Sequence, residues 1–311
     1  MYSSPMSGSE NASMVAQEIL DQPRAWARAV ELAGNSVNPF PRGERVAIIG
    51  CGSSWHTAKA IAAMREASGQ GETDAFAASE ALLDRSYDRI FAISRSGTTT
   101  EVLQALESRS GDSPVTAVVG DPVSPLAAIS DQVLDLTFAD DQSVVQSRFV
   151  TTVLCLARTF LGEDTGSLPG RAEEALVLPH PVEPRAAERA VVLAQGWRVG
   201  IADAAALALR ETAQMWAESY PSMEYRHGPI ATAGPGAVVW FLDEPPAGLA
   251  DQVLATGALV VEAEGDPITE LIRIQRLAVA KAEGAGFDPD RPPNLDRAVV
   301  LEAEGPSGGG R

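Results

Sequence analysis

Glu211, Glu218, Glu224 and His227 fall in one short segment that closes on Gly228-Pro229. Glu211 and Glu218 are seven residues apart, which puts both on one helix face together with Gln214. The pattern reads as a long helix over 201–219 that Pro221 ends, followed by a loop presenting Glu224, Arg226 and His227. A carboxylate and an imidazole held this way suit proton shuttling on a carbohydrate. Moving a carbonyl between C1 and C2 needs a base for a carbon-bound proton and a group for the ring-opening proton. Glutamate fits the first task and histidine the second. Taken singly, the same residues also fit a solvated helix face and a histidine in a turn.

Two other segments suit an anion. Val46 to Ile49 is an apolar run ending in GCGSS (50–54), and Arg89 to Ile93 ends in SRSGTT (94–99). Each leads into a helix, where free N–H groups and the positive end of the dipole favour a phosphate. Ser53, Ser54, Ser94, Ser96 and Thr99 would add hydroxyl donors, and Gly52 and Gly97 allow close backbone approach. Serine and threonine before a helix also serve as N-caps. Two such turns on one sheet edge favour a ligand. The third glycine of a dinucleotide fingerprint is missing, with Trp55 in its place, and no GxxxxGK[ST] loop occurs. His56, His180 and His227 are scattered and no CxxC or HExxH motif is present, so neither metal nor cofactor is expected.

Short apolar strands alternating with helices must position these residues. Val115–Val119 and Val133–Leu136 continue the series, and 147–161 is a mostly apolar helix. Residues 162–186 are rich in Gly, Pro and charge. Strands are expected again at Ala190–Leu193, Ala237–Leu242, Leu259–Glu262 and Ala298–Leu301, with Gly196 and Gly200 bracketing a turn and a helix over Thr269–Glu283. The fold class is therefore α/β with parallel sheets covered on both faces. The expected division is a tail and helix over 1–40, with Pro23 breaking the helix; a first unit over 41–165; a linker over 166–186; a second unit over 187–303; and a disordered tail over 304–311. Two similar units in tandem suggest duplication, on pattern alone.

The chain has 311 residues, and at about 150 per domain two domains are expected. With 24 basic and 42 acidic side chains the net charge is −18, a field that repels nucleic acid and anionic lipid. Lys59 and Lys281 are the only lysines, and only a lysine can form a Schiff base with a sugar. Cys51 and Cys155 read as reduced thiols. No signal-peptide pattern and no membrane-length apolar stretch occurs, so a cytoplasmic location is expected.

GCGSS (50–54), SRSGTTTE (94–101), VVQSRFVTT (144–152), E-x6-E-x5-E-x2-HGP (211–229) and RPPNLDRAVVLE (291–302) together resemble the SIS (sugar isomerase) proteins. The likeness spans about residues 14–302. It is to the tandem class containing the isomerase half of glucosamine-6-phosphate synthase and the fructosamine-6-phosphate deglycases. The Glu-to-His spacing with HGP is its most specific element. The resemblance implies two flavodoxin-like αβα sandwich domains, with phosphate held by Ser53, Ser54, Ser94, Ser96 and Thr99 and sugar contacts from Gln146 and Ser147. It implies Glu211 as the C1/C2 base and His227 as the ring-opening group, supplied by the neighbouring subunit of a homodimer with shared sites. Glu218, Glu224 and Arg297 are candidate substrate contacts or orienting residues.

Two departures shape the expectation. No glutaminase segment precedes the SIS pattern. Arg297 stands at the position of the synthase's imine-forming lysine, and a guanidinium does not form that imine. The expected activity is C1/C2 proton transfer on an amino-sugar or fructosamine 6-phosphate, of deglycase or deaminase-isomerase type. The alternatives are a plain aldose–ketose phosphosugar isomerase and a non-catalytic sugar-phosphate sensor.

Overall fold

The computed structural model describes residues 12–301. The expectations for the extreme N-terminal segment and for 304–311 lie outside these residues. Residues 12–301 form an α/β fold with two parallel sheets, as the alternating pattern predicts.

The first sheet contains β1 (Val46–Gly50), β2 (Thr73–Ala77), β3 (Arg89–Ile93), β4 (Val115–Val119) and β5 (Gln132–Asp135) in the order β2-β1-β3-β4-β5. Every residue of β1 and β4 is buried, because helices cover both faces of the sheet. The second sheet contains β6 (Arg189–Ala194), β7 (Trp216–Pro221), β8 (Ala237–Phe241) and β9 (Leu259–Glu262) in the order β7-β6-β8-β9. It repeats the first winding with one strand fewer. β2 escapes pattern reading because TDAFA is a short edge strand with little apolar alternation.

Two N-terminal helices, α1 (Met14–Leu20) and α2 (Gln22–Asn35), are divided near Pro23, which sits in the first turn of α2. Helices α3 (Ser53–Ala67), α4 (Thr100–Ser108) and the one-turn α5 (Pro125–Ala128) follow strands of the first sheet. After α6 (Arg148–Phe160), the segment expected to be a linker contains α7 (Leu168–Val177), which buries Leu168, Ala172 and Ala175. Helices α8 (Arg198–Ala213), α9 (Leu249–Leu254) and α10 (Pro267–Ala285) belong to the second sheet.

One apolar cluster runs through both halves, joining Ile48, Ile61 and Val153 to Ile201, Val238 and Leu271. Helices α3 and α8 cross within it. Gly200, expected in a turn, lies inside α8 at this crossing. A Cβ there would sit 2.6 Å from the Ala60 nitrogen and 2.7 Å from the His56 carbonyl. Lys59 on α3 pairs with Asp203 on α8, and Gly52 faces Leu207, so the two helices run in opposite directions.

Two further expectations are corrected. The helix predicted to reach 219 ends at Ala213. Gln214 takes a left-handed conformation with φ 51°, and 216–221 forms β7. There Met215, Ala217 and neighbouring residues alternate buried and exposed, the period of a strand. Glu211 and Glu218 therefore do not share a helix face. The strand expected at 298–301 does not join the second sheet. That segment crosses to the first half, where the Thr100 N–H donates to the Val299 carbonyl (3.2 Å) and the Leu301 N–H donates to Thr100 Oγ1 (2.8 Å).

Candidate active site

In an open parallel sheet wound in the 2-1-3-4-5 order, ligands bind outside the carboxyl ends of the strands where the winding reverses. In the first sheet that point lies between β1 and β3, and the turns 50–54 and 94–99 stand there. They border one cavity of about 160 Å³. Its walls include Ser53, Ser54, Ser94, Ser96 and Thr99 from these turns, Gln146 from the loop before α6, and Glu211 from α8. The C-terminal segment 295–299, including Arg297, completes the wall.

The hydroxyls do not act as helix caps. The N-cap residues are Gly52 for α3 and Thr99 for α4, and neither helix start has a side-chain cap hydrogen bond. Among the described helices only α5 and α10 carry an N-cap side-chain hydrogen bond, from Ser124 and Asp266. In the second turn the hydroxyls bond within the turn itself. Ser94 Oγ and Thr99 Oγ1 are 3.2 Å apart, Gly97 N–H donates to Ser94 Oγ (3.2 Å), and Thr98 N–H donates to Ser96 Oγ (3.2 Å). Gly97 is required for this shape. Its φ is +63°, and a Cβ would lie 2.0 Å from Ser124 Oγ.

Glu211 reaches the cavity because the α3–α8 crossing sets the C-terminal turn of α8 beside the N-terminus of α3. Burial pushes its carboxyl up to about 7, against the pull of Arg210 and Arg95. A carboxyl balanced near neutrality can both take and return a proton.

Arg95 is the wall residue that the sequence reading passed over, although it sits inside the SRSGTT turn. It is only 2% exposed. Its Nη1 donates to the carbonyls of Asp141 and Ser143, both at 2.9 Å, and its Nη2 donates to the Arg297 carbonyl. Burial pulls its pKa down. Cys51 also lines the cavity, with its thiol pushed up to about 11 by burial, so it is not a thiolate. Cys51 and Cys155 are both free.

Arg297 is committed to the protein. Its Nη2 lies 2.7 Å from each carboxylate oxygen of Asp140 and from the Asp141 carbonyl, to which its Nε also donates (3.0 Å). Ser147 is buried and is not part of the cavity wall. Its N–H donates to the Asp141 carboxylate (3.0 Å), which also accepts from the Arg148 and Phe149 N–H groups at the start of α6. Asp141 is fully buried, and desolvation first, then Glu18, push it up to about 7.

Three expected residues stand elsewhere. Glu218 is on β7, with its side chain acting on Tyr220 and Tyr225. Glu224 and His227 are exposed on the short 3-10 turn after β7. None of the three is in the cavity wall. Glu211 precedes β7 and His227 follows it. The strand has six residues, about 20 Å at ~3.3 Å each, so within one chain the two groups lie at opposite ends of it.

No family model matches the chain. It is 28% identical over 343 aligned positions to the isomerizing glutamine–fructose-6-phosphate aminotransferase of Pyrobaculum aerophilum, covering 92% of this chain and 57% of that protein. It is 26% identical to the enzyme of the same name from Neisseria meningitidis serogroup B, over 92% of this chain and 58% of the relative. The chain thus spans a little over half the length of these relatives. Among solved structures, glucosamine-6-phosphate deaminase from Thermotoga maritima superposes with a TM-score of 0.78 at 25% identity, covering 93% of this chain and all of that one. Tagatose-6-phosphate ketose/aldose isomerase from Escherichia coli superposes with a TM-score of 0.76 at 16% identity, a likeness of fold.

Proposed function

We propose that this chain, which belongs with the SIS (sugar isomerase) proteins, is an enzyme that moves a proton between C1 and C2 of an amino-sugar or fructosamine 6-phosphate. One observation carries the reading. A partly buried carboxyl balanced near neutrality, Glu211, borders the same cavity as two helix starts lined with hydroxyls. The Thermotoga maritima relative, named a glucosamine-6-phosphate deaminase, supports the amino-sugar class.

The phosphate would be bound by Ser53, Ser54, Ser94, Ser96 and Thr99, whose N–H and O–H groups suit a dianion. This anchors the sugar so that its C1/C2 end lies toward Glu211, with Gln146 alongside. Ionised Glu211 takes the carbon-bound proton and, once protonated, returns it to the adjacent carbon. A substrate that already carries nitrogen at the reacting carbon needs no enzyme imine, so Arg297 in place of a lysine is compatible with this chemistry.

Ring opening falls to His227 of a second copy, which makes the functional unit a homodimer with shared sites. The exposure of the His227 turn supports this, together with its separation from Glu211 along β7. Mixing inactive Glu211→Gln and His227→Ala proteins tests it. Activity restored by subunit exchange is expected, and mixtures that stay dead would sink the shared site. A charged sugar phosphate, which does not cross membranes unaided, supports a cytoplasmic location.

The decisive experiment is turnover of 6-phosphorylated ketosamines by wild type and Glu211→Gln. Equal rates would remove Glu211 from the mechanism. Turnover confined to nitrogen-free hexose 6-phosphates would make the protein a plain isomerase, and binding without turnover would make it a sensor.

A further inference from the structure

The turn that carries His227 is pinned from two sides, while the two side chains it exposes have no task inside the chain. Residues Glu224–His227 form a 3-10 turn soon after β7, and the Arg226 N–H donates to the Met223 carbonyl (3.3 Å). Tyr225 is fully buried, among Val191 and Leu193 of β6 and Phe241 of β8. Its ring centroid lies 6.1 Å from that of Tyr220 on β7. The next residue holds the turn from the other side. Arg226 Nε donates to Gln252 Oε1 on α9 (2.8 Å), and its Nη2 donates to the Ala247 carbonyl (2.7 Å). Behind the turn, Gly228 takes φ 134° and its carbonyl accepts the Ala231 N–H (2.9 Å).

Glu224 and His227 are the exposed members. A 3-10 helix has three residues per turn, so positions 224 and 227 stand one above the other on the same edge. Among the described residues, every side-chain hydrogen bond of the turn is made by Arg226. Fixing a turn costs conformational entropy. Here the inward contacts offset that cost in order to present two side chains that the chain itself does not use.

We propose that Tyr225 and Arg226 are positioning residues for His227, holding the turn so that its imidazole, with Glu224 beside it, enters the cavity of a second copy in a fixed orientation. The inference deepens the shared-site reading and rests on it. The step it serves is ring opening. There the anomeric hydroxyl gives up its proton, the bond from the anomeric carbon to O5 breaks, and O5 takes a proton. Displacing the group that carries those protons by about 1 Å can cost about 10²-fold in rate. A substrate that is already open needs no such group.

The test compares a 6-phosphorylated ketosamine with its 5-deoxy analogue, which has no O5 and therefore stays open. Arg226→Ala is expected to lower kcat on the cyclic substrate at least tenfold with KM within about threefold, and to leave the rate on the open analogue within about twofold. Tyr225→Ala should show the same split, and Tyr225→Phe, which keeps the ring, should recover most of the loss. In the full chain, amide exchange at positions 226 and 231 should quicken in Arg226→Ala. Equal losses on both substrates would make the pair merely structural and overturn the proposal, as would wild-type rates on both or unchanged exchange at the two amides. Should Tyr225→Ala fail to fold, Arg226→Ala decides alone. Wild-type turnover of the cyclic substrate by His227→Ala would defeat the ring-opening reading itself. The split appearing in His227→Ala but not in Arg226→Ala would defeat this inference alone. A wild type inert on both substrates would defeat the enzyme reading, and the two amides would still decide whether Arg226 pins the turn.

Discussion

The two sheets share a winding order but treat their switch points differently. Outside β1 and β3 the chain sets hydroxyls and a buried arginine around a cavity. Outside β6 and β8 it supplies its own anion. The Asp243 carboxylate accepts the Gln195 N–H (2.8 Å) and lies 3.8 Å from Arg198 at the start of α8. Both turns begin with a left-handed glycine, Gly52 at φ +53° and Gly196 at φ +57°. The backbone plan is thus common, and side chains decide which crevice is free for a ligand. The first half lines the cavity with hydroxyls while the second, through α8, brings the Glu211 carboxyl to its wall.

The comparison can be broken in several ways. The largest effect is expected from Glu211→Gln, which should lower kcat/KM by about 10² to 10⁴ on any substrate that wild type turns over. The wild-type rate should rise with pH through about 7 as the carboxyl ionises. Stability should run the other way. Folding raises this pKa from 4.5 to about 7, so the native state binds the extra proton between those values and loses stability as pH rises through them. Melting curves of Glu211→Gln against wild type at pH 5 and 8 would show the variant gaining at the higher pH. A gain at pH 5 alone would contradict the buried carboxyl.

Gly97→Ala comes next. It combines a left-handed φ with a Cβ 2.0 Å from Ser124 Oγ, so about 1–3 kcal/mol of stability should be lost along with phosphate binding. Gly196→Ala, with open space around its Cβ, should cost about 1 kcal/mol and leave phosphate binding intact. Equal effects of the two on phosphate affinity, read by calorimetry, would erase the distinction between the crevices. Ser96→Ala should weaken phosphate roughly tenfold, the value of one charge-assisted hydrogen bond. The smallest effect is expected from Asp243→Asn. It should shift stability by about 1 kcal/mol and leave phosphate stoichiometry at one per chain. A second phosphate bound by that variant would show the carboxylate to be all that closes the second crevice.

Much of this was legible in the residues. VAIIG and VTAVV are continuous apolar runs because their strands are covered on both faces, and GCGSS and SRSGTT announce strand-to-helix turns. The acid–base segment was less legible. The Glu211–Glu218 spacing mimics helical period, while Gln214 in a left-handed conformation turns the chain into a strand. VVLE at the C-terminus has strand composition, yet it pairs with the start of α4 rather than with the second sheet.

By itself the sequence determined the alternation of strands and helices and the hydroxyl turns between them, because these are matters of local period and residue chemistry. The tertiary structure decided that Glu211 meets the turns, that His227 does not within one chain, and that Arg95 stands buried against the C-terminal segment. Those outcomes follow from how closely α3 and α8 cross at Gly200 and from where the C-terminal segment returns, long-range contacts that no local pattern encodes.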